Sequence, residues 1–143
     1  MNGYFYISET ATDELLVADA GKGSIIKTSL KDNSFTVVVD TAEVVKRPKG
    51  ITYDPEENRV YWIDENTSSI YRALLGDSTV ETIQNKTQSK GLDIDTRLKK
   101  IFWTNVEKRT IVSANLDGSN QKDVIKAEGV DIPTKVLVDS KNR

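Results

Sequence analysis

Val60-Tyr61-Trp62-Ile63-Asp64 recurs downstream as Ile101-Phe102-Trp103-Thr104-Asn105 and, more faintly, upstream as Leu15-Leu16-Val17-Ala18-Asp19. The three copies start 45 and 41 residues apart. Each is a short apolar run, rich in β-branched or aromatic residues, closed by Asp or Asn. That composition describes a strand buried on both faces. A self-similar unit of this length marks either a propeller blade or a helical array.

The neighbouring segments fall into step around these anchors. Ten residues before each anchor stands Phe5, Gly50 or Gly91, and the stretches Tyr6 to Glu9, Ile51 to Asp54 and Leu92 to Asp95 read as a first strand ending in an acid. Polar turns follow at Thr10 to Glu14, Pro55 to Arg59 and Thr96 to Lys100. Beyond the anchors, Ile25 to Leu30, Ile70 to Leu75 and Ile111 to Leu116 form a third strand. Each runs into Lys31-Asp32-Asn33, Gly76-Asp77-Ser78 or Asp117-Gly118-Ser119, chemistry suited to a tight hairpin. A weaker fourth strand is expected around Phe35 to Val39, Val80 to Ile83 and Asp123 to Ile125. No stretch carries a sustained helical period with caps, so the array gives way to an all-β chain of four-stranded antiparallel blades, a β-propeller.

The expected limits are about 3–46 for blade 1, 47–88 for blade 2 and 89–130 for blade 3, with 133–139 as an extra innermost strand resembling Pro48 to Asp54. Propellers close with about four to eight blades. Three blades leave two apolar faces open. Roughly 600 Å² on each, at about 25 cal/mol per Å², amounts to on the order of 15 kcal/mol per face, an upper bound before the cost of association. Two chains meeting about a twofold axis would complete a six-bladed ring. The alternative is a piece of a longer propeller completed by the remainder. In the dimer, the extra strand would swap across the junction as a latch.

Composition narrows the function. Net charge is −2 over 143 residues, giving nucleic-acid binding no electrostatic support. The longest apolar runs are about five residues, far short of the ~20 of a membrane span. Met1 to Tyr6 lacks the basic and apolar regions of a signal peptide. The sequence has no Cys and no His, which removes disulfides, thiolate metal sites and histidine-based nucleophile arrangements. No cofactor and no metal are expected.

The motifs resemble the YWTD (class B) repeats of the low-density-lipoprotein-receptor family. The resemblance runs through Arg47 to Asp54, Val60 to Asp64 and Ile70 to Leu74, then Gly91 to Asp95, Ile101 to Asn105 and Ile111 to Gly118. It implies a six-bladed propeller, an extracellular setting and a protein-binding or receptor role without catalysis. Relatives carry six repeats in one chain beside cysteine-rich modules. Those modules are missing here, so the expectation extends to a secreted binding protein or a lectin-like dimer.

Asp19, Asp64 and Asn105 close the anchor strands, and Asp54, Asp95 and Asp139 the first strands. A calcium ring would use such carboxylates. The expectation instead is that they accept backbone N–H bonds and tie blade to blade. Trp62 and Trp103 are expected in the core, and Tyr4, Tyr6, Tyr61 and Tyr71 in packing roles. Lys49, Lys90 and Lys135, near the starts of successive first strands, would gather at the channel mouth as a basic funnel or simply as solvated lysines. The resemblance implies that ligands meet the face carrying the loops after the anchors. The residues expected to act there are Lys22, Glu65, Glu107, Lys108 and Arg109. Asn66-Thr67-Ser68 and Asn85-Lys86-Thr87 are N-glycosylation sequons in loops.

The leading expectation is a non-enzymatic recognition module for a protein, peptide or glycan. A structural or matrix component and a metal-dependent propeller hydrolase are the alternatives.

Overall fold

The computed structural model describes residues 5–9, 13–40, 44–77, 79–126 and 132–139. Tyr4, the side chain of Tyr6, the turn at 10–12, Ser78 and the blade margins at 3–4, 41–43 and 127–130 lie outside the described residues.

Twelve strands form three four-stranded sheets, and no helix occurs among the described residues. Blade 1 comprises β1 (Phe5–Glu9), β2 (Glu14–Asp19), β3 (Ser24–Ser29) and β4 (Phe35–Val39). Blade 2 comprises β5 (Pro48–Asp54), β6 (Arg59–Asp64), β7 (Ser69–Leu74) and β8 (Val80–Gln84). Blade 3 comprises β9 (Leu92–Asp95), β10 (Lys100–Asn105), β11 (Thr110–Asn115) and β12 (Lys122–Lys126). Every sheet is an antiparallel meander in chain order. The first strands are innermost: β1 touches β5, and β5 touches β9.

Both-face burial explains why the anchor strands are apolar throughout. In β6, Val60 and Trp62 point toward blade 1, where they meet Leu16, Ile25, Val39 and Val45. Tyr61 and Ile63 point the other way and join Leu92, Ile94, Ile101 and Trp103 of blade 3. One strand therefore serves two cores, its period-two alternation sorting side chains between them. Trp62 and Trp103 are 0% and 1% exposed.

The repeat persists below the level of side chains. Asp19 pairs with Ser24, Asp64 with Ser69 and Asn105 with Thr110, so each third strand begins on a buried hydroxyl residue one position earlier than its apolar run. The pairing of third and fourth strands shifts register at the same place in each blade, between Ile25 and Ile26, between Ile70 and Tyr71, and between Ile111 and Val112. Such bulges sharpen the twist of the outer strand. Positive φ recurs four residues after the anchor's closing residue, at Gly23, Ser68 and Arg109, and in the preceding hairpins at Asp13, Asn58 and Lys99.

Two further departures from expectation concern the innermost strands. β5 begins at Pro48 because Pro48 pairs with Asp64 across a bulge, with proline tolerated at the first strand position. The expected extra strand at 133–139 forms no ladder: residues 132–139 carry no strand hydrogen bonding. An innermost strand takes its ladder from the anchor beside it, and the described residues hold no such anchor for this segment. It lies instead against β9. A Cβ on Gly91 would stand 2.9 Å from Lys135 Cα, and Val138 N donates to Asp93 Oδ2 at 2.8 Å.

Candidate functional site

The loops after the anchors and the links between blades come together at one end of the sheets, and Asp64 is where they join. Its Oδ1 accepts from Asn66 N, Thr67 N and Thr67 Oγ1 at 3.1, 3.0 and 3.3 Å, folding the loop. Its Oδ2 accepts from Lys46 N and Arg47 N at 2.9 and 2.8 Å, fastening the link from blade 1. This fully buried carboxyl group thus has five hydrogen-bond donors and both oxygens occupied.

Blade 3 divides that work between two residues. Asn105 Oδ1 accepts from Lys108 N at 3.0 Å, while Thr104 Oγ1 accepts from Lys90 N and Gly91 N at 2.9 and 3.1 Å. The blade tie here belongs to Thr104, which the sequence pattern did not single out. Asp19 Oδ1 accepts from Gly21 N and Lys22 N, the same loop-folding role.

Asp54 and Asp95 sit at the opposite end. Asp54 Oδ1 takes Glu56 N, and Asp95 Oδ1 takes Leu98 N, both at 2.9 Å within their own turns. Asp54 also reaches blade 3 through Lys99 Nζ, 3.9 Å from Oδ2, and Lys99 is bonded to Glu56 at 2.8 Å. Asp139 is exposed at the end of the 132–139 segment. Among the described residues, no group of three or more acids is placed to hold a metal ion.

Two clefts open on the loop end, separated by the link between blades 2 and 3. The first, about 170 Å³, is lined by Lys49, Ile63, Glu65, Thr87, Lys90 and Val106, among others. It brings together three expected ligand residues, Lys49, Glu65 and Lys90. Glu65 is shared between two cations, with Arg47 Nε at 3.1 Å and Lys49 Nζ at 3.3 Å. The second, about 270 Å³, is lined by Lys86, Thr87, Asn105, Glu107, Lys108 and Lys122, with Trp103 and Val112 beneath. Lys22 and Arg109 are exposed and line neither cleft, and Lys135 lies beside Gly91. Asn66 and Asn85 are exposed on the same end.

Sequence reasoning missed the link. Thr87 is 5% exposed, lines both clefts and has a buried hydroxyl without a hydrogen-bond partner. Ser89 is buried beside it, its Oγ donating to Gly91 O at 3.2 Å. Apart from the sequon that ends at Thr87, no motif marks these residues. The faint signal was a run of hydroxyl and amide residues, Thr87-Gln88-Ser89, too polar for an ordinary strand and without the Gly, Asn or Asp of a tight turn.

Residues 99–139 match the sequence model for low-density lipoprotein receptor repeat class B. Among curated relatives, Protein cueball of Drosophila sechellia is 30% identical over 97 residues, which is 63% of this chain and 15% of that protein. Protein cueball of Drosophila grimshawi is 24% identical over 131 residues, covering 82% of this chain and 20% of the relative. The chain thus spans a fifth or less of the length of these relatives. Among solved structures, a chain of a nidogen/laminin complex superposes with a TM-score of 0.79 at 17% identity, covering 92% of this chain and 51% of that one. Virginiamycin B lyase from Staphylococcus aureus, in a catalytically inactive form, gives 0.73 at 12% identity, covering 93% and 44%. A luciferin-regenerating enzyme gives 0.67 at 18%, covering 93% and 50%. At these identities the likenesses establish the fold, which both binding proteins and enzymes use.

Proposed function

The chain carries low-density lipoprotein receptor class B (YWTD) repeats folded as propeller blades, and from that premise we propose that it is a non-enzymatic extracellular recognition module. The loop end binds a protein, peptide or glycan ligand. The observation that carries this reading is the pair of clefts flanking the link between blades 2 and 3, which gathers Lys49, Glu65, Lys90, Glu107 and Lys108 on one end of the sheets. The buried carboxylates there are consumed in holding loops, leaving the exposed side chains to meet a partner. Arg109 and Lys22 extend the surface around the clefts. In such a setting Asn66 and Asn85 are candidate N-glycan acceptors, and a glycan found on Asn66 would move the ligand site to the opposite end of the sheets.

The ring is completed by a second copy of the chain. Two observations support this. Val17, Ile26 and Val37 are in register across blade 1 on the face turned away from blade 2, beside Leu15, Thr28 and Phe35. Phe35 is 67% and Val37 46% exposed there. On blade 3, Thr104, Ile111 and Ile125 share the outward face, with Ile125 58% exposed. Leu15, Val17 and Ile26 stand where Val60, Trp62 and Tyr71 of blade 2 pack on blade 1, and Thr104 and Ile111 where Ile63 and Ile70 pack on blade 3, so one copy's blade 1 would meet its partner's blade 3 once the 132–139 segment gives up its place beside β9. The chain also covers 51%, 44% and 50% of three solved chains of this fold, so about half of such a ring is left for a second copy, or for a further stretch of chain, to supply.

The test is a binding screen of the full chain against immobilised extracellular proteins and glycans. Binders are retested with the Glu107→Arg/Arg109→Glu double variant and with Lys31→Glu at the opposite end. The reading expects affinity to fall with the first and to hold with the second. Equal affinity for both variants contradicts it.

A further inference from the structure

We propose that the first cleft is a receptor for a single carboxylate side chain, an Asp or Glu on an exposed loop of a protein partner. The inference rests on the recognition reading and specifies the chemistry of one subsite. The chain itself supplies the template. Glu65 sends one carboxylate oxygen to Arg47 Nε at 3.1 Å and the other to Lys49 Nζ at 3.3 Å, so the cleft margin already holds a carboxylate between two cations. That carboxylate stands in for the incoming one.

The remaining charges fit. Asp64 lines the cleft, but both its oxygens are taken by loop and link donors. Lys90, on the facing wall, forms no ion pair or side-chain hydrogen bond among the described residues. Glu65 and Lys49 lie half-exposed and a quarter-exposed, so their pair is weak enough to exchange. A second anion would bind Lys90 and compete with Glu65 for Lys49.

Size and lining favour a peptide side chain over a sulfated saccharide. About 170 Å³ holds one or two side chains, and Ile63 and Val106 offer apolar walls to their methylenes. Thr87, whose buried hydroxyl lacks a partner, and Ser89 form the inner side. A polysulfated chain calls for a longer row of cations without apolar walls.

The experiment titrates the isotope-labelled full chain with the capped tripeptide Gly-Asp-Gly and its isostere Gly-Asn-Gly, following backbone amides by NMR. The Asp probe should shift Glu65, Ser89, Gly91 and Val106 saturably, and the Asn probe should bind about tenfold more weakly. Lys90→Gln should abolish the preference for Asp. Glu65→Gln should strengthen Asp binding severalfold by removing the internal competitor, an effect a structural role for Glu65 does not produce. Lys31→Gln, at the far end, should change nothing, and dispersed amide spectra verify each fold. Equal binding of both probes, no response at the cleft, or weaker binding in Glu65→Gln overturns the carboxylate assignment. A binder from the screen that remains sensitive to Glu107 and Arg109 would leave the recognition reading standing in each case.

Discussion

At the scale of residues, the fold relies on a few side chains that work across blade boundaries. Asp64 fastens a loop and a link at once, so Asp64→Ala strips five donors of their acceptor. We expect a loss of about 3 kcal/mol or more in denaturant unfolding; a loss below about 1 kcal/mol would show that water replaces the carboxylate. Arg72 is the counterpart on the outer strands. Its Nε bonds Glu81 Oε2 at 2.7 Å and its Nη1 reaches Leu116 O of blade 3 at 2.9 Å. Arg59 Nη1 holds the other Glu81 oxygen at 2.9 Å. The bond from Arg72, with smaller help from Arg59, holds the Glu81 carboxyl below the usual carboxylate range. A lowered folded-state value means that Glu81 stabilises the fold above the unfolded-state value, and that this contribution fades as pH falls through the folded one. The stability gap between the wild type and Glu81→Gln should therefore be present at neutral pH and shrink in acid. A gap independent of pH would contradict the charge-based account.

At the scale of elements, the anchor strands were legible because burial on both faces leaves a mark in composition. Val60-Tyr61-Trp62-Ile63 had to be apolar without interruption, since alternate residues feed different cores. The turns were legible in part. Asp-Gly and Gly-Asp pairs announced the hairpins between third and fourth strands, whereas Lys99 and Arg109 occupy positive-φ positions that neither residue type advertises. The site was read less well. Lys49 and Lys90 were singled out by their repeat position and Glu65 by the loop after its anchor, but the cleft they line depends on the path of Thr87-Gln88-Ser89, fixed by Thr87 N donating to Ser68 O and Val106 N donating to Gln88 O. Those are bonds between separate segments, and no local pattern encodes them. The same holds for 132–139, where sequence similarity to β5 was real and a ladder did not form. That segment rests on Gly91, and a methyl group there would lie 2.9 Å from Lys135 Cα and 3.0 Å from Thr134 O. Gly91→Ala should release the segment while the three sheets persist, read as faster hydrogen exchange or proteolysis confined to residues 132–139. Unchanged protection would mean that β9 and the segment can separate without losing contact.

At the scale of the whole molecule, three blades solve two of their packing problems internally and leave two faces turned outward. Blade 2 is covered on both sides, by Leu16, Ile25 and Val39 from one neighbour and by Leu92, Ile101 and Trp103 from the other. Among the described residues blade 1 is covered on one side, and blade 3 is covered by blade 2 on one side and only at β9, by the 132–139 segment, on the other. Phe35, Val37 and Ile125 remain exposed on the outer faces, and the positions of Phe35 and Ile125 are ones at which Val80 and Val39 pack between blades. Exposed apolar surface of this kind marks an association site, and a twofold pairing covers both faces with one operation. The most direct test is the mass of the purified chain by light scattering across a dilution series. A closed six-bladed ring predicts twice the 16.0 kDa chain mass, about 32 kDa, maintained on dilution. A stable 16.0 kDa particle at every concentration would contradict it.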